Sequence, residues 1–404
     1  MAKNKFLENH SKEECCGCEV CTLVCPKNII EMYSDDEGFL YPRVTDNSLC
    51  INCGLCNKVC PVSNPIKVED SIIAFASGYV NSEIEVKQCA SGGMATAISR
   101  EFIQRMRGVV YGVKYSDNYE NILFSRSENV EHLYAYKGSK YAQAQKDRIM
   151  VSVKQDLING LNVLFIGLPC EVAALKNFTK NKFSNLYTIE LVCHGPTSRK
   201  VHREYVKELC NKYGGQLTNF TVRYKYRGWK PYYVLAEFDN LKKHIEIFHQ
   251  SEYGIAFRYM KRPSCSTCHF KLGDKQAGLQ ADITLGDFHY CHESMEAYNK
   301  WGVSVAYIHT HKGEELLDLG IIECKSFPTD ARPALKSSFA LKNAVQKKAN
   351  RKEFSKTFSS KGLSKACKLY SVRCIDTSMK AKSFVLRFAV RMRNLLYNCI
   401  GKRR

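Results

Sequence analysis

The chain has 404 residues, enough for roughly two or three domains, and its 45% hydrophobic and 25% charged residues exclude wholesale disorder and a coiled-coil rod. The formal charge of +20 is concentrated at the C-terminal end, since residues 331–404 hold 20 of the 60 Lys and Arg residues but only two acidic ones, Glu353 and Asp376. Residues 1–330 are therefore nearly neutral, which argues against a body that binds nucleic acid.

The N-terminus and the cysteine count restrict the compartment and the chemistry. The first ten residues are polar and lack the apolar segment of a secretory signal, and no run of about 18 apolar residues predicts a membrane-spanning helix. We therefore expect a cytoplasmic protein, in which thiols stay reduced and disulfides are rare. Twenty cysteines in such a protein indicate metal binding or redox chemistry.

Two groups of cysteines near the N-terminus share one spacing. Each group reads C-x2-C-x2-C-x3-C-P, which is the spacing of a bacterial ferredoxin with two 4Fe-4S clusters. In such a run the first three thiolates bind one cluster and the fourth binds the other cluster. The expected ligands are Cys15, Cys18, Cys21 and Cys60 for the first cluster, and Cys50, Cys53, Cys56 and Cys25 for the second cluster.

Zinc is the alternative metal for these cysteines, because it also takes four thiolates. Zinc ribbons, however, use two C-x2-C pairs rather than two runs of four that end in Cys-Pro. Gly17 and Gly54 fit the tight backbone that directs amide N–H groups at cluster sulfurs. Cys16 lies outside the pattern, and we expect it to have no ligand role.

After a linker rich in Pro, Ser and Asn at residues 61–70, strands and helices are predicted to alternate, which is typical of an α/β layer with buried strands. The predicted strands are residues 72–80, 109–115, 163–166 and 186–193, and the predicted helices are residues 91–105, 145–159, 171–178 and 198–213. Three further β segments at residues 220–227, 232–238 and 244–248 predict an antiparallel insertion.

The sequence contains neither G-x-G-x-x-G nor G-x-x-x-x-G-K-[ST], so neither a classical dinucleotide-binding fold nor a P-loop ATPase is supported. Two shorter strings could contact a cofactor. Ser91, Gly92 and Gly93 directly precede a predicted helix, where free N–H groups could hold a phosphate. Lys140 and Tyr141 place a cation beside an aromatic ring. Turns and helix caps explain such strings more often than cofactors do.

Four later cysteines lie at the ends of predicted strands and loops. Cys170 follows Gly-Leu-Pro, Cys193 precedes His194, and Cys265 and Cys268 form a C-x2-C pair. Together these cysteines could bind a third cluster. Spacing alone leaves a zinc site and ordinary buried thiols as alternatives.

The basic C-terminal segment at residues 380–402 has a helical pattern, with a narrow stripe of basic and polar residues opposite a wide apolar side. Such a helix could lie on the anionic inner face of the cytoplasmic membrane, or it could pack on the body or a partner with its cations in solvent. Nucleic-acid binding is not expected, because aromatic residues are sparse between residues 331 and 380.

The order of seven short motifs resembles the coenzyme F-420 hydrogenase/dehydrogenase beta-subunit family over roughly residues 10–290. The motifs are SGG at 91–93, GSKY at 138–141, LFIGLPCE at 164–171, LVCHG at 191–195, RGW at 227–229, RPSC at 262–265 and ADITLGDF at 281–288. In combination these motifs are specific. The chain departs from the family pattern after Phe288, where His289 and Tyr290 stand and the family commonly has Trp.

The predicted elements and this resemblance together imply an α+β protein. We expect a bacterial two-cluster ferredoxin domain (residues 1–68), an α/β flavin-binding body with an antiparallel β insertion (two family regions, 69–150 and 151–330) and a helical basic tail (331–404). The resemblance implies that Cys170, Cys193, Cys265 and Cys268 bind a third 4Fe-4S cluster. It also implies FAD, with Ser91, Gly92 and Gly93 as candidate phosphate anchors and Lys140 and Tyr141 as candidate contacts to the ring or ribityl group.

The resulting prediction is an iron-sulfur flavoprotein oxidoreductase. Electrons from a low-potential donor, such as a ferredoxin or a redox partner subunit, are expected to reach FAD through the clusters and then an organic acceptor. Bacterial relatives point to surface polysaccharide synthesis. The alternative is a non-catalytic subunit that relays electrons to a partner enzyme.

One histidine and two carboxylates within these motifs are candidate proton-transfer groups. His194 is the candidate acid or base, because an imidazole titrates near neutral pH, and a structural hydrogen bond at a strand end is the alternative. Glu171 and Asp287 are expected to be a first-turn helix carboxylate and a turn residue.

Overall fold

The computed structural model describes residues 5–67 and 71–373. The chain forms two compact units, which we call the first unit (Met1–Ala349) and the second unit (Asn350–Arg404). The basic helix predicted at residues 380–402 lies outside the described residues. No helix among the described residues is long and apolar enough to cross a membrane.

The two N-terminal cysteine runs fold around one hairpin and three short helices. These elements are α1 (Lys5–Asn9), α2 (Val20–Leu23), β1 (Ile30–Ser34), β2 (Leu40–Val44) and α3 (Leu55–Lys58), and β1 pairs antiparallel with β2. The third cysteine of each run, Cys21 or Cys56, is the second residue of its short helix, so the two runs repeat in structure as they do in sequence. A ferredoxin-like N-terminal region is therefore present.

The remaining strands and helices alternate along the first unit before a helical second unit. The strands are β3 (Ala74–Val80), β4 (Val109–Tyr115), β5 (Ile122–Ser127), β6 (Val163–Gly167), β7 (Leu186–Leu191), β8 (Leu217–Tyr224), β9 (Tyr233–Phe238), β10 (Lys243–Ile247), β11 (Ile283–Asp287), β12 (Ser304–Ile308) and β13 (Cys324–Pro328). The helices are α4 (Glu83–Gln88), α5 (Met94–Met106), α6 (Ile149–Ile158), α7 (Pro169–Thr179), α8 (Arg199–Tyr213), α9 (Glu252–Tyr259), α10 (His311–Ile321), α11 (Ala331–Lys336), α12 (Phe339–Lys342), α13 (Arg351–Lys361) and α14 (Leu363–Arg373).

Eight of these strands form one mixed sheet in the order β13-β3-β12-β11-β7-β6-β4-β5. β4, β6, β7 and β11 run parallel, whereas β12 is antiparallel to both β11 and β3. The predicted strands at 72–80, 109–115, 163–166 and 186–193 are confirmed as β3, β4, β6 and β7. The four predicted helices are confirmed as α5, α6, α7 and α8, with ends shifted by a few residues.

Helices cover both faces of this sheet, which makes the fold a mixed α/β arrangement. Leu164 of β6 packs with Phe102 of α5 on one face, and Val163 and Phe165 pack with Val172 of α7 on the other face. This alternation follows from the two-residue period of a strand, and it explains why the strands are apolar on both sides.

A separate sheet of three antiparallel strands, in the order β10-β9-β8, occupies residues 217–247. β8 ends at Tyr224, three residues before the predicted end of the first β segment. Its pairing with β9 shifts register between Thr221 and Tyr224. Such irregular pairing changes the direction of the residues that follow. After the strand ends, the buried Lys225 amine donates hydrogen bonds to the carbonyls of Val86 and Ser91.

The ferredoxin-like region packs against α7 of the main sheet. Val20 and Val59 are buried in the same apolar cluster as Val172 of α7. The Asn177 amide of α7 also donates hydrogen bonds to the carbonyls of Val59 (3.2 Å) and Asn64 (2.8 Å). These contacts hold the cysteine runs along α7, from Val172 in its first half to Asn177 in its last turn.

Candidate functional site

The carboxyl ends of neighbouring strands bring several motif residues to one edge of the sheet. Cys170 follows β6, Cys193 follows β7, and Asp287 ends β11, and these three strands lie side by side. Ligands of open α/β sheets bind in the crevice outside the carboxyl ends of the strands. This edge is therefore where the fold favours a site.

All four cysteines predicted for a third cluster line one cavity of about 300 Å³ at this edge, and each of them is partly buried. Cys170 stands in the first turn of α7, and Cys193 lies in the loop after β7, where its Sγ accepts the Gly195 N–H at 3.2 Å. Cys265 and Cys268 come from a short 3-10 helix, Pro263–Thr267, and the residue after it. Four thiols around one small cavity are the donor set of a 4Fe-4S cluster.

The start of α7 fixes the direction of Cys170. Glu171 accepts the N–H of Leu168 at 2.9 Å, so the prediction that Glu171 is a first-turn helix carboxylate is confirmed. The same carboxylate forms a buried ion pair with Lys146 at 3.0 Å. The helix terminus that carries Cys170 is thus held by both a cap and a charge.

Cys16 also lines this cavity, and the expectation that it has no ligand role stays a prediction. Its thiol is within hydrogen-bonding reach of Cys170 in the cavity and of Cys18 in the first cysteine run. In the sequence this position is marked by the Cys15-Cys16 doublet inside an otherwise regular cysteine spacing. Cys16 therefore lies between the two predicted cluster sites.

Positive groups surround the cavity. The Lys271 amine donates to the Cys193 carbonyl (2.9 Å) and to the Ala340 carbonyl (2.7 Å), and Lys146 and Arg262 also line the walls. Burial raises the pKa of the Cys268 thiol to about 11, so the free thiol is protonated at neutral pH. A cluster bound by four thiolates is anionic, and these cations fit that charge.

The ligands predicted for the second cluster line a second cavity of about 710 Å³. Cys25, Cys50, Cys53 and Cys56 all reach it, and Cys53 is exposed to solvent. The glycine predicted to turn the chain here, Gly54, has a φ of +71°. The structure thus brings the fourth cysteine of one run to the first three of the other run.

The ligands predicted for the first cluster are all buried. Cys15, Cys18, Cys21 and Cys60 are each less than a tenth exposed. Burial raises the pKa of Cys21, and the nearby thiols of Cys15, Cys60 and Cys56 add to this effect, so Cys60 of the second run lies close to the first run. Among the described residues no group of His, Cys, Asp and Glu side chains is spaced for a single metal ion. A cube takes each thiolate at a separate iron, so its ligands lie farther apart than those of one ion.

The donors predicted to hold a flavin phosphate bond other protein groups instead. The Ser91 hydroxyl donates to the Val303 carbonyl at 2.7 Å, and the Gly92 N–H donates to the Ser304 hydroxyl at 3.0 Å. Gly93 caps the start of α5 with a φ of +94°. These residues join α5 to β12, and the donors of Ser91 and Gly92 do not point at a ligand.

Lys140 and Tyr141 are also occupied within the protein. The Lys140 amine donates to the carbonyls of Ala135 and Lys137 at 2.9 and 2.8 Å, and burial lowers its pKa to about 7. The Tyr141 ring stacks on Phe257 with centroids 4.8 Å apart. Lys140 therefore stabilises the loop that carries it, and Tyr141 packs against α9.

Arg223 joins several of the family-like motifs, although no spacing in the sequence marks it as a functional residue. Its guanidinium donates to the Ala90 carbonyl (2.7 Å), the Tyr141 hydroxyl (3.0 Å) and the Asp287 carboxylate (2.8 Å), and it lies 3.8 Å from the Tyr232 ring centroid. Burial alone would raise the pKa of Asp287, but the Arg223 cation lowers it overall. Asp287 is thus one half of a buried ion pair rather than a simple turn residue.

His194 lies between two cavity-lining residues, Cys193 and Gly195, and its side chain is exposed. Protein atoms nevertheless crowd the imidazole, and this desolvation lowers its pKa to about 4, with the Lys261 and Lys271 cations adding to the effect. The ring is therefore neutral at pH 7. The His194 carbonyl accepts a hydrogen bond from Lys261.

Comparison with known proteins identifies two matching family models and a similar solved structure. Residues 160–328 match the family model for the C-terminal region of the coenzyme F420 hydrogenase/dehydrogenase beta subunit, and residues 14–64 match a 4Fe-4S dicluster domain. A chain of the F420-reducing [NiFe] hydrogenase complex from Methanosarcina barkeri, in a xenon-derivatised structure, is 16% identical, with a TM-score of 0.46. That alignment covers 76% of the present chain and 95% of the hydrogenase chain. No curated protein matches the sequence.

The two matched segments contain all of the cysteines assigned above to clusters. The dicluster match includes both N-terminal runs, and the beta-subunit match includes Cys170, Cys193, Cys265 and Cys268. The resemblance predicted from the order of the motifs is confirmed: the chain is an iron-sulfur protein that carries a 4Fe-4S dicluster domain and the C-terminal domain of the coenzyme F420 hydrogenase/dehydrogenase beta-subunit family.

Proposed function

We propose that the chain is an electron-transfer protein with three 4Fe-4S clusters, two in the dicluster domain and a third held by Cys170, Cys193, Cys265 and Cys268. The observation that supports the third cluster most directly is the single cavity of about 300 Å³ that all four thiols line. When bound, the clusters supply one-electron transfer between a low-potential donor, such as a ferredoxin or a partner subunit, and an acceptor.

The protein residues provide the environment that such chemistry needs. The cavity cysteines are partly buried, and Lys271 and Arg262 line the cavity and would balance the negative charge of the bound group. The exposed Cys53 marks the side of the dicluster domain that a partner can reach. Cys16, in reach of both Cys18 and Cys170, lies between the first site and the cavity.

FAD and an organic acceptor belong to the proposal only through the family resemblance. The predicted phosphate donors, Ser91 and Gly92, bond Val303 and Ser304, so these residues as they stand do not fit a flavin nucleotide. FAD is therefore not part of the proposed electron path, and the catalytic role of His194 and a role in surface polysaccharide synthesis stay predictions. This observation favours a subunit that relays electrons to a partner enzyme over a flavin-dependent oxidoreductase.

The direct test is the iron, acid-labile sulfide and flavin content of protein purified without oxygen. Three clusters predict about twelve iron atoms per chain, and a Cys170→Ser/Cys265→Ser double variant should keep about eight. The matched control is Cys210→Ser, because Cys210 lies on α8 and does not line the cavity. About eight iron atoms in the unaltered protein, or about twelve in the double variant, would contradict the third cluster. About one FAD per chain would favour the flavoenzyme over the relay.

A further inference from the structure

Arg262 is a buried cation between the dicluster domain and the cavity. Its side chain is 2% exposed and lines the cavity three residues before Cys265. The Nε atom donates to the Cys15 carbonyl at 2.7 Å, Nη2 donates to the Leu40 carbonyl at 2.9 Å, and Nη1 donates to the Gln143 side-chain oxygen at 2.9 Å. One side chain of the body thus binds the dicluster domain at two carbonyls.

The same guanidinium also contacts a sulfur that we assign to the first cluster. Nη2 lies 3.5 Å from Cys15 Sγ and donates an N–H···S bond to it. The hydrogen-bond partners of the guanidinium are two backbone carbonyls, an amide oxygen and this sulfur, and none of them is a carboxylate. A buried cation needs a compensating charge, and an anionic cluster beside Cys15 provides one.

We propose that Arg262 is a positioning residue that raises the reduction potential of the first cluster. Reduction adds one electron, and therefore one negative charge, to a group shielded from water. A fixed cation and an N–H···S bond stabilise that added charge, since hydrogen bonds to sulfur and net charge are the protein's means of setting cluster potentials. The proposal rests on the dicluster domain and on Cys15 as a ligand, and it does not require the third cluster.

The test is an anaerobic redox titration, monitored by electron paramagnetic resonance, of the full-length protein and of Arg262→Gln. We expect one reduction step to move to more negative potential, with about a tenfold lower ratio of reduced to oxidised cluster at a fixed ambient potential, which equals about 59 mV for a one-electron couple. Arg43→Gln is the matched control, because Arg43 is an exposed arginine on β2 that pairs with Glu31. A titration of Arg262→Gln that overlays the unaltered protein would overturn the proposal.

Arg262→Lys separates charge from simple packing. Lysine keeps the positive charge but lacks the planar fork, so the potential should return at least part of the way to that of the unaltered protein. Equal shifts in the Lys and Gln variants would show that Arg262 only holds the two parts together, and the proposed tuning would then be wrong.

If Arg262→Gln loses its clusters, the contact between Arg262 and the first cluster can still be tested in the unaltered protein. Protein labelled with ¹⁵N only in arginine guanidinium groups should give a ¹⁵N coupling to one reduced cluster in pulsed resonance spectra, and absence of that coupling would refute the contact. Iron content separates this proposal from the proposed function. About eight iron atoms in the unaltered protein would remove the third cluster while the result on Arg262 stands.

Discussion

Two constraints meet at Gly17, in the first cysteine run. Its φ of +67° is a conformation that side chains with a Cβ rarely adopt, and a Cβ there would lie 2.6 Å from Arg262 Nη1. Gly54 is the equivalent residue of the second run, with a φ of +71°, and a Cβ there would meet nothing within 4 Å. The two glycines therefore share a backbone requirement, but only Gly17 is also closed in by the body.

This pair of residues gives a matched test of the contact with Arg262. Gly54→Ala should cost about 1 kcal/mol from the left-handed backbone. Gly17→Ala should cost roughly 1–3 kcal/mol more, because Arg262 and Gln143 must move away. The measurement is the thermal unfolding midpoint of the cluster-containing proteins. Equal midpoints for the two variants would show that the dicluster domain does not need the close approach of Arg262.

At the scale of elements, one buried carboxylate joins β7 to the segment that enters β11. Glu190 of β7 is fully buried and accepts the N–H groups of Gln280 (2.9 Å) and Ala281 (3.2 Å) and the Thr284 hydroxyl (2.8 Å). Burial raises the pKa of Glu190 to about 7, against the partial opposition of these hydrogen bonds. The strands that place Cys193 and Asp287 side by side are thus linked by a group that titrates near neutral pH.

The raised pKa of Glu190 predicts a particular pH dependence of stability. Between about pH 4.5 and pH 7 the folded protein binds a proton at Glu190 that the unfolded chain releases, so the free energy of unfolding falls as pH rises through this window, by up to roughly 3 kcal/mol. Glu190→Gln stays neutral and should lose that part of the pH dependence. The measurement is the urea midpoint of both proteins from pH 5 to pH 8. Parallel pH profiles would contradict the shifted pKa.

At the scale of the whole molecule, every cysteine assigned to a cluster lies in the first unit. The described part of the second unit has a small core of its own, in which Phe354, Phe358 and Leu363 are buried. The basic segment predicted to contact a membrane or a partner follows this core in sequence, outside the described residues. The domain boundaries predicted at residues 68, 150 and 330 likewise stay predictions.

Deleting residues 350–404 should separate cluster binding by the first unit from membrane binding by the basic segment. The iron content should be unchanged, because no assigned ligand is removed. Binding to anionic liposomes should be lost, because the deletion removes the basic, apolar segment proposed to lie on the membrane surface. Flotation of both proteins with anionic and with neutral liposomes measures the second effect. A loss of iron would contradict the division of roles, and unchanged flotation would contradict the membrane proposal.

The sequence predicted best what is encoded locally. The spacing of Cys15, Cys18 and Cys21 is meaningful within a few residues, so the dicluster domain could be recognised before any fold was known. Apolar runs that alternate with predicted helices indicated β3, β4, β6 and β7. β11 and β12 were missed, because no helix separates them and the alternating pattern is therefore absent there.

Only the tertiary structure decided which distant residues meet. Cys170 and Cys265 are 95 positions apart, and they reach one cavity because parallel strands end at a common edge that the 3-10 helix covers. Arg262 and Arg223 carry no spacing signal and Cys16 is marked only by its doublet with Cys15, since each contacts partners on other elements. The sequence determined the ligand chemistry of this protein. Packing of the dicluster domain against the sheet decided where that chemistry lies and which cations surround it, because such contacts depend on the distance between elements rather than on their order along the chain.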